Sequence, residues 1–188
     1  MNPDSSLAPA PETKNQRLFF ALWPSLELSR ELHSIAGRIL RGDGRRVPPE
    51  RIHLTLAFLG SVKVSFRQCA EQVAATIRGE SFTLTLEQIG CWPKSGIVWV
   101  GPWHAPEPMS RLVQELNAGL SACGYVPEER VYAAHLTLAR KLRRCKINLT
   151  IDPLMWEVRR FCLVQSHTHA AGAHYEIVRS WELNSSEP

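Results

Sequence analysis

Several common sources of chemistry are missing from this chain of 188 residues. It has no Gly-x-x-x-x-Gly-Lys-[Ser/Thr] loop and no Lys-x-x-Gly segment, which excludes a P-loop nucleotidase and a ligase that carries an adenylate on lysine. No eighteen apolar residues occur in succession, and the N-terminus lacks a basic segment followed by an apolar run, so neither a membrane helix nor export is expected. Cysteine is sparse: Cys69, Cys91, Cys123, Cys145 and Cys162 are odd in number, far apart and form no Cys-x-x-Cys pair. A zinc ribbon and a disulfide framework are therefore not expected, and a reducing cytoplasm is the expected compartment. His167, His169 and His174 lack an acidic or cysteine partner at ligand spacing, so this run reads as a loop and no metal centre is expected.

What is present is ordinary in bulk: 44% hydrophobic and 21% charged residues suit a soluble globular protein of one domain or two small lobes. The net charge of +4 permits a polyanionic ligand without demanding one. Residues 1–15, rich in Pro, Ser and Ala, read as a disordered extension, residues 16–184 as one bilobal domain and 185–188 as a tail.

Along the domain, RLFFALW (Arg17 to Trp23) is a buried strand, and Ser25 caps a helix running to Arg41. Val64 to Arg78 and Pro108 to Cys123 read as two more helices, the last closed by Gly124. Strands are expected at Ser81 to Ile89, Gly96 to Val100, Val158 to Ser166 and Tyr175 to Leu183. Helices and hairpins mixed in this order give an α+β fold rather than a doubly wound parallel sheet.

The pentapeptide His-Leu-Thr-Leu-Ala occurs twice, at His53 to Ala57 and at His135 to Ala139. Alternation with period two marks a half-buried strand, with His53 and Thr55 on one face and Leu54 and Leu56 on the other, and the same for His135, Thr137, Leu136 and Leu138. A single His-x-Thr is usually a satisfied surface or core pair. Two identical copies can instead pair about a pseudo-two-fold axis and bring both histidines and both threonines to one groove.

These motifs, together with RLFFAL, HLTLAFLG, FTLTLEQIG, VWVG, HLTLAR and YEIVRSWEL, make the chain resemble the 2H phosphoesterase superfamily from Arg17 to about Leu183. Within it the likeness is to the bacterial RNA 2',3'-cyclic phosphodiesterases, the LigT-like 2'-5' RNA ligase family. The resemblance implies a bilobal α+β fold, with two antiparallel sheets and outer helices around a central groove. It also implies metal-independent opening of 2',3'-cyclic phosphate RNA ends to 2'-phosphomonoesters, with no cofactor, and reversible ATP-independent ligation. In that reading His53 protonates the departing 3'-oxygen and His135 activates water. The family commonly has proline just before the second motif, where this chain reads Tyr132-Ala133-Ala134-His135.

The residue chemistry fits the resemblance. In-line attack on phosphorus needs an acid and a base on opposite sides, and imidazoles titrate near neutrality. Thr55 and Thr137 are expected to donate to non-bridging oxygens, and Arg140 to fork onto the phosphate. Arg140 lies five residues past His135, an odd offset that requires the strand to end or bulge near Ala139. The equivalent position after His53 is Phe58, which either faces a nucleobase or fills the core. Lys141, Arg143 and Arg144, with Arg45 and Arg46 on another loop, form a basic strip suited to steering RNA. The expected enzyme is a cytoplasmic monomer with RNA ends as its partner. The rival readings are a 2H activity on a small cyclic nucleotide or cyclic ADP-ribose phosphate, and a non-catalytic RNA-end binding module.

Overall fold

The computed structural model describes residues 15–40, 44–145, 147, 149–169 and 172–184. The expected N-terminal extension up to residue 14, the tail 185–188 and Arg41 lie outside them.

The first strand, β1 (Gln16–Leu22), is buried on both faces because every residue from Leu18 to Leu22 is apolar. Leu18, Phe20 and Leu22 enter the main core, and Phe19 and Ala21 enter a smaller cluster with Cys162 and Val164 on the other side. Helix α1 (Leu26–Ile39) starts where the Leu28 amide donates to the Ser25 hydroxyl at 3.2 Å, satisfying one of the free N–H groups of the first turn. After the two-residue strand β2 (Arg45–Arg46) the first motif forms β3 (Leu54–Val62), followed by α2 (Val64–Thr76). Strands β4 (Phe82–Leu86), β5 (Gln88–Trp92) and β6 (Ile97–Gly101) lead to α3 (Glu107–Ser121). The second motif is β7 (Leu136–Arg140), and β8 (Leu154–Val158), β9 (Arg160–His169) and β10 (Gly172–Glu182) complete the chain.

The strands lie in the order β10-β9-β1-β3-β7-β6-β5, with β2 also on β7 and β4 paired with β8 in a separate ribbon. The pairings that define the two halves correspond: β1 lies antiparallel to β3 as β6 lies antiparallel to β7. The halves meet in the middle at a single pair, Leu54 opposite Leu136. Both leucines are fully buried, in one core with Leu56, Leu138, Ala70 and Ala74 of α2, and Leu112 and Leu116 of α3. The helices thus cover the leucine face of both motif strands, and the histidine-threonine face is the opposite one. Among the described residues, no helix is long and apolar enough to cross a membrane.

The structure corrects four local expectations. Ser81 to Ile89 is not one strand: the chain breaks at Glu87 and sends β4 and β5 to different sheets. Likewise Arg159 separates β8 from β9. His167 and His169 lie on strand β9 rather than in a loop, because β9 and β10 stay in register out to Gly172 opposite His169 and ladder hydrogen bonds outweigh local polarity. His167 is spoken for by Glu176, with Nε2 3.1 Å from its carboxylate.

The fourth correction concerns cysteine. Cys69 is bonded to Cys123 and Cys91 to Cys145, each pair 54 residues apart, and buried Cys162 is the free thiol. The partners are brought together by tertiary packing, that of α2 on α3 in the first case, which spacing along the chain does not encode. Burial pushes the Cys162 thiol up to about 12, so it behaves as a small apolar side chain.

Candidate active site

Leu54 and Leu136 point into the core as a cross-strand pair, so their chain neighbours His53, Thr55, His135 and Thr137 all emerge on the other face, two from each strand. The two imidazoles are held alike. Nδ1 of His53 lies 2.7 Å from the Arg51 carbonyl and Nδ1 of His135 lies 2.8 Å from the Ala133 carbonyl, in each case two residues upstream. A carbonyl only accepts, so each Nδ1 carries the proton and donates it, which leaves Nε2 of a neutral ring with its lone pair for a reacting group.

Both strands then break their alternation at the same place. Across β6, Trp99 is opposite Thr137 but Val98 is opposite Ala139, so Leu138 is an extra residue. Across β1, Ala21 is opposite Thr55 but Phe20 is opposite Ala57, so Leu56 is extra in the same way. These are β-bulges. They bury two consecutive residues in each strand, Leu138 with Ala139 and Leu56 with Ala57, and return the next residue to the open face. That residue is Arg140 in one half and Phe58 in the other. Of the strand end or bulge near Ala139 that the offset of Arg140 required, the structure has the bulge, and its twin in β3 leaves Phe58 41% exposed rather than in the core. The Arg17 guanidinium sits 4.8 Å from the centre of the Phe58 ring.

The surroundings of the two histidines differ. His53 lies face to face with Trp23, centroids 5.1 Å apart and planes 7° from parallel, with Tyr175 edge-on at 5.0 Å and Phe19 at 4.9 Å. Desolvation by this aromatic wall, with smaller contributions from the Arg140 and His135 charges and against the opposing pull of the Arg51 carbonyl, lowers its pKa to about 4. His135 meets one ring, Trp92, edge-on at 4.6 Å. Its pKa is also lowered by burial, partly offset by the Ala133 carbonyl, with Arg140 adding to the lowering. Arg140 therefore stands within electrostatic reach of both imidazoles.

The segment leading into β7 is held without proline. Tyr132 Oη donates to the Thr55 carbonyl at 2.8 Å, and the backbone of Ala134 packs against Gly101, where a Cβ would overlap the Ala134 oxygen. A side chain at Gly101 would push His135 off its seat.

A profile of the 2'-5' RNA ligase superfamily matches residues 24–170, a span that contains both motifs. The chain belongs to the 2'-5' RNA ligase superfamily. Within it, the chain is 32% identical to the RNA 2',3'-cyclic phosphodiesterase of Escherichia coli (strain K12), over 89% of this chain and 97% of that protein. It is 27% identical to the RNA 2',3'-cyclic phosphodiesterase of Thermotoga maritima, over 86% and 92% respectively. Among solved structures, E. coli LigT in its apo form superposes with a TM-score of 0.82 at 29% identity, covering 92% of this chain and 99% of that one.

Within this 2'-5' RNA ligase fold, the structure gathers His53, Thr55, His135, Thr137, Arg140 and Phe58 on one face. The aromatic residues Trp23, Tyr175, Trp92 and Tyr132 were not picked out as site residues from the sequence. Trp23 lies at the end of an apolar strand run, Tyr175 and Trp92 lie far from the motifs, and nothing local marks them as neighbours of a histidine. Tyr132 alone carried a signal, by standing three residues before His135. Among the described residues no three histidine, cysteine or carboxylate side chains are grouped as a metal site.

Proposed function

We propose that this protein is an RNA 2',3'-cyclic phosphodiesterase that opens the terminal cyclic phosphate to a 2'-phosphomonoester by acid-base catalysis between His53 and His135. The observation that carries the reading is the matched pair of Nδ1-anchored imidazoles, whose Nε2 atoms are both left for substrate on one face of two paired strands. Relatives covering most of the chain are named for this activity.

In the reaction, water attacks phosphorus opposite the 3'-oxygen. His135 Nε2 takes the water proton as the P–O bond forms, and protonated His53 gives its proton to the 3'-oxygen as that P–O bond breaks. Arg140 forks onto the non-bridging oxygens with Thr55 and Thr137 as further donors, stabilising the charge that builds there. Phe58, exposed beside the motif, offers a ring face to the terminal base. His53 is neutral in the free protein. The anionic phosphate neutralises Arg140 and favours the proton on His53, so binding loads the acid. The same groups carry ATP-independent 2'-5' ligation when a 5'-hydroxyl attacks the cyclic phosphate in place of water, with the 3'-oxygen again the leaving group, and no cofactor is needed. The enzyme acts as a monomer on RNA ends in the cytoplasm, where its disulfides make oxidation state a variable.

One observation favours the opposite assignment of roles: His53, inside the aromatic wall, is the imidazole pushed down as far as about 4. The two assignments separate with a substrate whose 3'-bridging oxygen is sulfur, a leaving group that needs no proton. It restores turnover to His53→Ala if His53 is the acid, and to His135→Ala if the roles are reversed. The function itself is tested by incubating the protein with an oligonucleotide ending in a 2',3'-cyclic phosphate. A 2'-phosphate product is expected; no product, or turnover of small cyclic nucleotides only, overturns the reading.

A further inference from the structure

The short strand β2 pairs with β7 so that Arg45 lies directly opposite Arg140 and Arg46 opposite Ala139. Residues directly opposite in an antiparallel pair project to the same face of the sheet. Arg140 is on the catalytic face because of the bulge at Leu138, so Arg45 is on that face too. The two stand side by side, both exposed, and among the described residues neither makes an ion pair or side-chain hydrogen bond. Like charges in direct cross-strand opposition are destabilising, and an exposed edge strand has no structural need for them.

The close approach of β2 is built into the backbone. Gly44, at φ +84°, brings the strand against β7 where a Cβ would lie 3.1 Å from the Arg140 carbonyl oxygen. Val47 then donates its amide to the Leu138 carbonyl at 2.8 Å, so β2 is pinned to the bulge itself. On the far side of Arg140, Lys141 adopts a left-handed conformation at φ 62°, and Leu142 donates its amide to Gly96 at 3.0 Å. The guanidinium pair is thus carried on a fixed platform.

Two adjacent guanidinium groups exceed what one terminal cyclic phosphate, with its single negative charge, neutralises. We infer that Arg45 forms a second phosphate subsite, which holds the phosphodiester immediately upstream of the terminal nucleotide while Arg140 holds the reacting phosphate. This rests on the phosphodiesterase reading and specifies its substrate class: an oligonucleotide end rather than a mononucleoside cyclic phosphate. Arg45 is a binding residue for the chain and takes no part in proton transfer.

The test compares kcat/KM for a mononucleoside 2',3'-cyclic phosphate with that for an oligonucleotide ending in the same group. Wild-type protein is expected to prefer the oligonucleotide. Arg45→Ala is expected to cost the oligonucleotide about ten-fold more than the mononucleotide and to make the salt dependence of oligonucleotide KM shallower, by a log-log slope of about 0.7 for one lost contact to a single strand. Arg45→Lys should keep the slope, since the charge remains. Equal losses on both substrates would assign Arg45 to the reacting phosphate, and no loss on either would remove it from the site; both overturn the inference. If wild-type protein opens neither substrate, it is the phosphodiesterase reading that fails. The melting temperature of Arg45→Ala should equal or exceed that of wild type, because a repulsion is relieved, so a drop in turnover is not a folding defect.

Discussion

The phenol of Tyr132 reaches across the groove and donates a hydrogen bond of 2.8 Å to the carbonyl of Thr55, tying the approach to the second motif to the strand of the first. No proline stands just before His135, and this side-chain bond to the first motif strand fixes the approach instead. Burial of the hydroxyl pushes its ionisation above the usual phenol range, so it remains a donor at all working pH values. Tyr132→Phe removes the bond and leaves a carbonyl without its partner. The expected loss is about 1 kcal/mol in urea unfolding, with a fall in kcat larger than any change in KM as His135 loses its fixed distance to the first motif. A variant unchanged in both would mean that the tie is incidental.

His53→Ala and His135→Ala should each lower turnover by about 10²- to 10⁴-fold, the usual worth of a positioned proton-transfer group, with circular dichroism unchanged. Wild-type activity should survive a chelator, since the two imidazoles supply both proton transfers. A tenth or more of wild-type turnover in either variant, or loss in EDTA restored by zinc, would remove the two-histidine mechanism.

Stability should depend on pH through His53. Its pKa is about 4 folded and near 6.5 unfolded, so between these values the unfolded chain binds the extra proton and stability rises with pH. The contribution is fully present above about pH 6.5 and is lost as pH falls toward 4, on the order of 2 kcal/mol for this half-open site. Thermal melts from pH 7.5 to 4 should show that slope, and His53→Gln should flatten it. Because both histidines are depressed in the free protein, kcat/KM should be bell-shaped with its maximum below about pH 6.5.

Arg140→Lys should be clearly impaired and Arg140→Ala more so, on mononucleotide and oligonucleotide substrates alike, because an ammonium cannot match a guanidinium fork on two phosphate oxygens. Steady-state kinetics on both substrates decides; a loss confined to long RNA would move Arg140 from the reacting phosphate to the steering strip.

The double variant Cys69→Ala with Cys123→Ala should lose roughly 2–4 kcal/mol of stability in denaturant unfolding, as expected for a bridge closing a loop of this size. Turnover should hold, since that bridge joins helices packed on the leucine face, opposite the histidines.

The face shared by the two histidines and two threonines was legible because it is written in local code: a repeated pentapeptide with period-two alternation needs no distant partner to be read. Even the irregularity was implied, since Arg140 could reach that face from its odd offset only if the strand ended or bulged near Ala139. The disulfides, the split at Glu87 and the hairpin carrying His167 were not legible, because each depends on which element lies alongside. The aromatic wall falls in the same class: Trp23 and Tyr175 are separated from His53 by 30 and 122 positions, and only the pairing of β1 with β3 and β9, and of β9 with β10, brings them together.

The matching Nδ1 contacts to carbonyls two residues upstream have one more consequence. Neither ring can change tautomer without losing its anchor, so Nε2 is the atom through which either ring exchanges a proton with substrate. In the proposed mechanism each hydrolytic cycle therefore ends with the proton inventory inverted, His135 loaded and His53 empty. The product complex is already primed for the backward reaction, and release must precede a separate reset through solvent. At saturating substrate that reset is a candidate slow step, visible as a solvent isotope or buffer effect on kcat that is absent from kcat/KM.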